Sequence, residues 1–222
     1  MPCALPTFKT LKARHREIRD ELPQNMSLRI HRALSWLDCA EQKGDEDSRF
    51  IFLWIAFNAA YGHEIDARWG VTEREVLANF LKILIEADDA KVLYELAWQE
   101  FSGAFRSLID NQFVYQKYWD FQKGKLSEEE WLRCFKKDKS AANRALGRMD
   151  TGKFLTVVFE RLYTLRNQLI HGSATWNGSV DRDQLRDGAK IMGGVVPVII
   201  SIMLNNNPKL LGSPGYPVIE KA

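Results

Sequence analysis

The chain predicts an all-α fold, a helical bundle built as a single domain, and three observations carry that expectation. Apolar residues recur at three- and four-residue spacing through most of the chain. Val, Ile and Thr nowhere alternate with polar residues over a useful length, so strands have little support. The periodic stretches are also punctuated by helix-start pairs, Ser or Thr followed three residues later by Glu, and by a well-placed stop glycine.

Taken in order, residues 1–25 read as a charged N-terminal arm that ends at Pro23. A first core helix is expected with Ser27 as its N-cap and Ile30, Leu34 and Leu37 on one face, closed by Gly44 and the acidic turn Asp45 to Asp47. The next, from about Ser48 to Tyr61, carries FIFLWIAFNAAYG. It is apolar nearly all round, which assigns it to the centre of the bundle. Thr72 and Glu75 have capping-box spacing ahead of Val76, Phe80, Ile83 and Leu84. Helical pieces follow around residues 89–109 and 112–122. Ser127 and Glu130 repeat the box before Trp131 and Phe135. A long helix spans about Thr151 to His171, with Gly172 as its terminator. The last covers about Asp181 to Leu204 and is expected to bend at Pro197. The helical domain thus occupies residues 26–204, and residues 205–222 read as an irregular tail.

Composition excludes several classes. Of 222 residues, 45% are apolar and 11% aromatic, enough for a sizeable core and too much for general disorder. Lys and Arg total 31 against 29 Asp and Glu, and the net charge of +2 argues against a polybasic protein while leaving room for a local basic groove. Cys3, Cys39 and Cys134 are far apart and odd in number. No Cys–His cluster is present, so neither a disulfide framework nor a metal site is expected, and no cofactor is called for. The N-terminus carries charges where a signal peptide needs an apolar run. The apolar run Ile191 to Leu204 contains Gly193, Gly194 and Pro197 and falls short of the roughly 20 residues a membrane span needs. A cytoplasmic protein without a membrane partner is the expectation.

The chemistry-bearing segment is Phe154 to Gly172, FLTVVFERLYTLRNQLIHG. At about 100° per residue, with Arg166 at zero, Leu162 and Leu169 fall to one side and Phe159 and Ile170 to the other. Arg166 therefore sits along the centre of the apolar stripe, where an unpaired cation is costly. It must find an acidic partner, line a hydrated cleft, or reach solvent along its stem. Asn167 and His171 lie one turn apart on the adjoining face, and Thr164 and Glu160 extend that polar strip.

Arginine, asparagine and histidine around one groove suit phosphoryl transfer within RNA. Imidazole can take the ribose 2′-OH proton or protonate the 5′-oxygen leaving group. A guanidinium can hold the phosphate as charge builds on it. Asparagine can orient the imidazole or bind substrate. One histidine does not readily serve as both acid and base, so a second copy from a symmetric dimer is attractive.

Arg166-Asn167-Gln168-Leu169-Ile170-His171 resembles the R-x4-6-H motif of HEPN-domain proteins in its R-N-x-x-x-H form, and Trp54 to Gly62, WIAFNAAYG, resembles the apolar second helix of Apea-like and related HEPN families. The resemblance implies a HEPN-like helical bundle with extra helices that dimerises through its motif-bearing helices. It implies a metal-independent endoribonuclease with Arg166 and His171 catalytic and Asn167 as the polar residue within the motif. The setting it implies is toxin, phage-defence or RNA-processing systems, with RNA as substrate and an antitoxin or regulatory protein as an expected partner. One departure concerns control. Where HEPN toxins carry a nucleotidyl-accepting Tyr two residues after the histidine, this chain has Ser173.

Asn58, inside FIFLWIAFNAAYG, either supports the arginine groove or makes an interhelical hydrogen bond. Tyr61 reads as core and His63 as surface. Two basic stretches are candidates for an RNA backbone: Lys9, Lys12, Arg14, Arg16 and Arg19 in the arm, and Arg133, Lys136, Lys137 and Lys139, interleaved with Trp131 and Phe135. Both also read as plain solvated faces. Two rivals to the ribonuclease stand beside it. One is a non-catalytic helical module that binds RNA, a nucleotide or a protein, which predicts a cleft too narrow for RNA or an Arg166 neutralised by an internal carboxylate. The other is a purely structural bundle.

Overall fold

The computed structural model describes residues 5–62, 73–100, 102–179 and 182–205. Every regular element among them is helical: α1 (Phe8–Ile18), α2 (Gln24–Glu41), α3 (Glu46–Tyr61), α4 (Glu73–Glu86), α5 (Val92–Glu95), α6 (Ser102–Asp110), α7 (Gln116–Gln122), α8 (Glu128–Gly147), α9 (Thr151–Ile170) and α10 (Arg182–Asn205). A π-turn over Leu96–Glu100 and a 3-10 turn over Gln112–Val114 join the shorter pieces. Cys3, His63, Thr72 and the tail beyond Asn205 lie outside the described residues.

The segment expected as a charged arm contains α1. Leu11, His15 and Ile18, spaced four and three apart, bury one face of it against the core. Thr7 and Thr10 cap it reciprocally, a box made by two threonines where the usual partner is an acid or amide. Its basic residues form the solvent side, with Arg14 paired to Glu17 and Arg19 to Asp20. The second helix starts at Gln24, earlier than the Ser27 start expected. The Ser27 hydroxyl is not a cap; it lies 3.0 Å from His15 Nε2 and ties α1 to α2.

Asp45 opens α3, accepting from the Ser48 amide at 2.8 Å, so the acidic turn begins one helix and does not close its predecessor. Phe50, Leu53, Trp54, Phe57 and Tyr61 of α3 are buried, and Tyr61 stacks on Phe57. Arg29 of α2 is 1% exposed and donates to the Ala60 and Tyr61 carbonyls, closing the C-terminus of α3 from the side. Burial pulls its pKa down to about 10.

The most enclosed element is α10, which passes through Pro197 as one helix and packs on α3, α6 and α2. By length and composition it is apolar enough to cross a membrane, but 78% of its apolar window is buried inside the fold. Gly188 lets it approach closely: a Cβ there would stand 3.0 Å from Leu165, 3.1 Å from Phe50 and 3.3 Å from Leu162. Most of the buried apolar side chains form one continuous cluster, to which α7 contributes none and from which Trp131 of α8 stands apart. Ser127 and Glu130 make the capping box expected for α8.

Candidate functional site

Helix α9 is a core helix for most of its length and a surface helix at its end. Phe154, Leu155, Val158, Phe159, Leu162 and Leu165 are almost fully buried. Beyond Leu165 the core thins, so Arg166, Asn167, Gln168 and Leu169 are half-buried, while Ile170 and His171 are exposed. Gly172 ends the helix as expected. It adopts φ +69°, its amide donates to the Leu169 carbonyl at 3.2 Å, and the Ser173 amide donates to the Gln168 carbonyl at 2.8 Å. This paired closure satisfies the last carbonyls and fixes where His171 leaves the helix.

Arg166 resolves its conflict with the apolar stripe by reaching outward. No carboxylate among the described residues pairs with it. Its Nη1 donates to Asn167 Oδ1 at 2.9 Å, and its guanidinium carbon lies 5.8 Å from the centre of the Tyr163 ring. Nε is buried without a hydrogen-bond partner. Asn167 is thereby held by its oxygen, leaving its amide hydrogens uncommitted. His171 closes α9, its backbone amide donating to the Asn167 carbonyl at 3.0 Å, with the ring exposed. Arginine, asparagine and histidine thus share the final turn of one helix at the surface.

Apolar side chains stand exposed around the same turn. Ile170 is 49% exposed, and Phe113 is 44% exposed and tied to the turn by a 2.7 Å hydrogen bond from Gln168 Nε2 to its carbonyl. Trp176, 70% exposed, follows in the loop after Gly172.

The polar strip running back from Asn167 through Thr164 and Glu160 lines a cleft of about 790 Å³ between α3, α7, α8 and α9. Asn58 opens onto this same cleft from α3, exposed and not buried as its apolar surroundings in sequence suggest. Opposite, Lys137 stands at the rim. The wall is stiffened by residues that sequence reasoning passed over. Arg161 is 2% exposed and lies 4.2 Å from the centre of the Tyr115 ring and 5.6 Å from that of Phe135. Tyr115 donates its hydroxyl to Asp138 at 2.8 Å. Burial pulls the Arg161 pKa down, while Tyr115, Asp138 and Glu160 act against that; burial and then the Asp138 bond push the Tyr115 phenol well up. On the helical wheel Arg161 falls on the edge of the same polar strip, which was the available signal.

The basic stretch on α8 divides. Arg133, Lys136 and Lys137 are exposed within one face, whereas Lys139 is paired with Asp110 at 2.9 Å. The interleaved aromatics point inward: Trp131 is buried and packs with Tyr118, Phe121 and Phe135. They are therefore core, not a stacking platform, because the apolar face of an amphipathic helix is worth more against α7 than in water. Among the described residues, no group of three or more His, Cys, Asp and Glu side chains is arranged to hold a metal ion.

No family model, curated protein or solved structure matches the chain.

Proposed function

We propose that the chain is a HEPN-like endoribonuclease that works in the cytoplasm as a homodimer and cuts RNA without a metal ion. Two Arg166/Asn167/His171 sets would face one another across a shared cleft. One imidazole takes the proton of a ribose 2′-OH as that oxygen bonds to the adjacent phosphorus. The bond from phosphorus to the 5′-oxygen breaks, and the partner's imidazolium gives that oxygen a proton. The guanidinium of Arg166 neutralises charge on the phosphate oxygens. The products are a 2′,3′-cyclic phosphate and a 5′-OH.

The observation that carries this reading is the state of Arg166: half-buried, without a carboxylate partner among the described residues, and on the same surface turn as an exposed His171. A structural or purely binding role favours an arginine neutralised from within. Exposed Ile170, Phe113 and Trp176 around that turn support association through the motif-bearing end of α9. The exposed Arg133 and Lys136 support contact with an RNA backbone. Toxin or defence settings, with a regulatory protein as partner, follow from the resemblance alone.

The test is cleavage of a mixed structured RNA pool in EDTA by wild-type, Arg166→Ala and His171→Ala proteins, with product ends identified and folding checked by circular dichroism. Loss of the general acid–base group is expected to slow cleavage about 10²–10⁴-fold, with cyclic-phosphate and 5′-OH ends from the wild type. Equal cleavage by all three proteins, or none from a folded wild-type dimer, would move the assignment to a binding module.

A further inference from the structure

Helices α8 and α9 are joined through a residue that the turn itself does not call for. Met149 adopts φ +53°, the left-handed conformation that usually falls to glycine or asparagine at a helix end. Its amide donates to the Leu146 carbonyl at 3.1 Å and the Asp150 amide to the Ala145 carbonyl at 2.9 Å, so the backbone there is fixed. The caps on either side are Arg148 and Asp150. The Met149 side chain takes no part in the apolar core and stands 60% exposed. Met26, Met192 and Met203 are at most 1% exposed.

The sulfur nonetheless has a specific partner. Tyr94 of α5 donates its hydroxyl to Met149 Sδ at 2.9 Å. That donor is held in place: the Tyr94 ring centre lies 6.0 Å from that of Trp98, whose indole donates to Thr151 Oγ1 at 3.2 Å. A thioether is a weak acceptor, whereas the oxygen of a sulfoxide is polar and accepts well. The hydroxyl is thus already aimed at the atom whose accepting power oxidation would raise.

We propose that Met149 is a site of reversible oxidation, at which a peroxide converts the thioether to a sulfoxide that Tyr94 then holds. A lone pair of Sδ attacks one peroxide oxygen, so the S–O bond forms as the O–O bond breaks. The other oxygen leaves with a proton and, from hydrogen peroxide, ends as water. Sulfur is oxidised by two electrons and the peroxide is reduced by two. The sulfoxide oxygen takes over from sulfur as the acceptor for the Tyr94 hydroxyl, which keeps α5 tied to the α8–α9 turn. The site lies at the opposite end of α9 from Arg166 and His171, and it needs neither the ribonuclease reading nor a dimer.

A time course of the folded full chain in hydrogen peroxide, read by peptide mass mapping, tests it residue by residue, so oxidation of a cysteine is not mistaken for oxidation of Met149. Met149 is expected to gain one oxygen at least tenfold faster than Met26, Met192 and Met203. The two methionine sulfoxide reductases, one for each epimer, should then remove it. Thermal melts read the role of Tyr94. Oxidation should raise the Tm of the wild type by about 1–3 °C, through the stronger hydrogen bond, and should not raise that of Tyr94→Phe. Met149→Leu under the same treatment should keep its Tm, which separates the effect from thiol oxidation. The proposal is overturned if Met149 oxidises no faster than the three buried methionines, if the reductases leave the sulfoxide in place, or if the wild type and Tyr94→Phe shift alike.

Discussion

Replacing Gly188 by Ala measures how tightly α10 presses on the helix that carries the site. The added Cβ would meet Leu165 at 3.0 Å, Phe50 at 3.1 Å and Leu162 at 3.3 Å. All three side chains are at most 1% exposed, so none can swing into solvent. Overpacking of this kind costs about 1–3 kcal/mol. Against it, alanine in place of glycine inside a helix contributes about 1 kcal/mol. Packing wins, and the net loss is up to about 2 kcal/mol. Gly103, in α6, is the internal control, because a Cβ there meets nothing within 4 Å. Gly103→Ala is expected to gain up to about 1 kcal/mol. In a chain of this length each kcal/mol moves Tm by about 2–4 °C, so the two variants should separate by several degrees in opposite directions. Thermal unfolding gives the sign, and urea unfolding with an unchanged m-value gives the size. An equal rise in Tm for both variants would refute the reasoning. It would mean that α10 can move away from Leu162 and Leu165, the last core anchors of α9 before Arg166.

Other outcomes follow from the same geometry. Gly172→Ala places a side chain at φ +69° with open space around it, so the cost is backbone strain alone, about 1 kcal/mol. Because that strain frays the turn bearing Asn167 and His171, the proposed RNA cleavage should fall by more than the stability loss measured in urea explains. A cleavage rate equal to that of the wild type would separate the motif from its helix end. His15 is 4% exposed, and its pKa is lowered by burial and then by Lys12, His31 and Arg19. With its folded pKa below the ordinary 6.5, the unfolded chain binds the proton first, and stability should fall as pH drops below about 6.5. Urea midpoints between pH 7 and 5 check this; His15→Gln should flatten the slope, and an unaltered slope would rule His15 out as its source.

The difference between the two arginines of α9 explains what the site asked of the fold. On a helical wheel Arg166 lies in the apolar stripe and Arg161 at its margin, yet Arg161 is the buried one. Arg161 sits mid-helix, where α8 and the Gln112–Val114 turn bring Phe135 and Tyr115 over it. Arg166 sits where none of the described elements covers α9 fully, and it is half-buried. A single helix determines the angle at which a side chain leaves; its neighbours determine whether anything is there to meet it.

The amino-acid sequence by itself determined what depends on neighbours along the chain. The helical class follows from periodicity, and the Ser127–Glu130 box and the Gly172 terminator follow from hydrogen bonds spanning only a few residues. The grouping of Arg166, Asn167 and His171 is equally local, being one turn of one helix. Where an equally local signal used less familiar residues, as in the Thr7–Thr10 cap of α1, it went unread beneath the charges around it. The tertiary structure decided everything that required distant segments to meet. It turned Ser27 from a cap into a partner for His15, sent Trp131 and Phe135 inward, set Asn58 and Asn167 on the lining of one cleft, and clasped Arg161 under Tyr115. Those contacts join residues tens of positions apart, and burial, which ranks them, belongs to the packed assembly of helices and to no single stretch of chain.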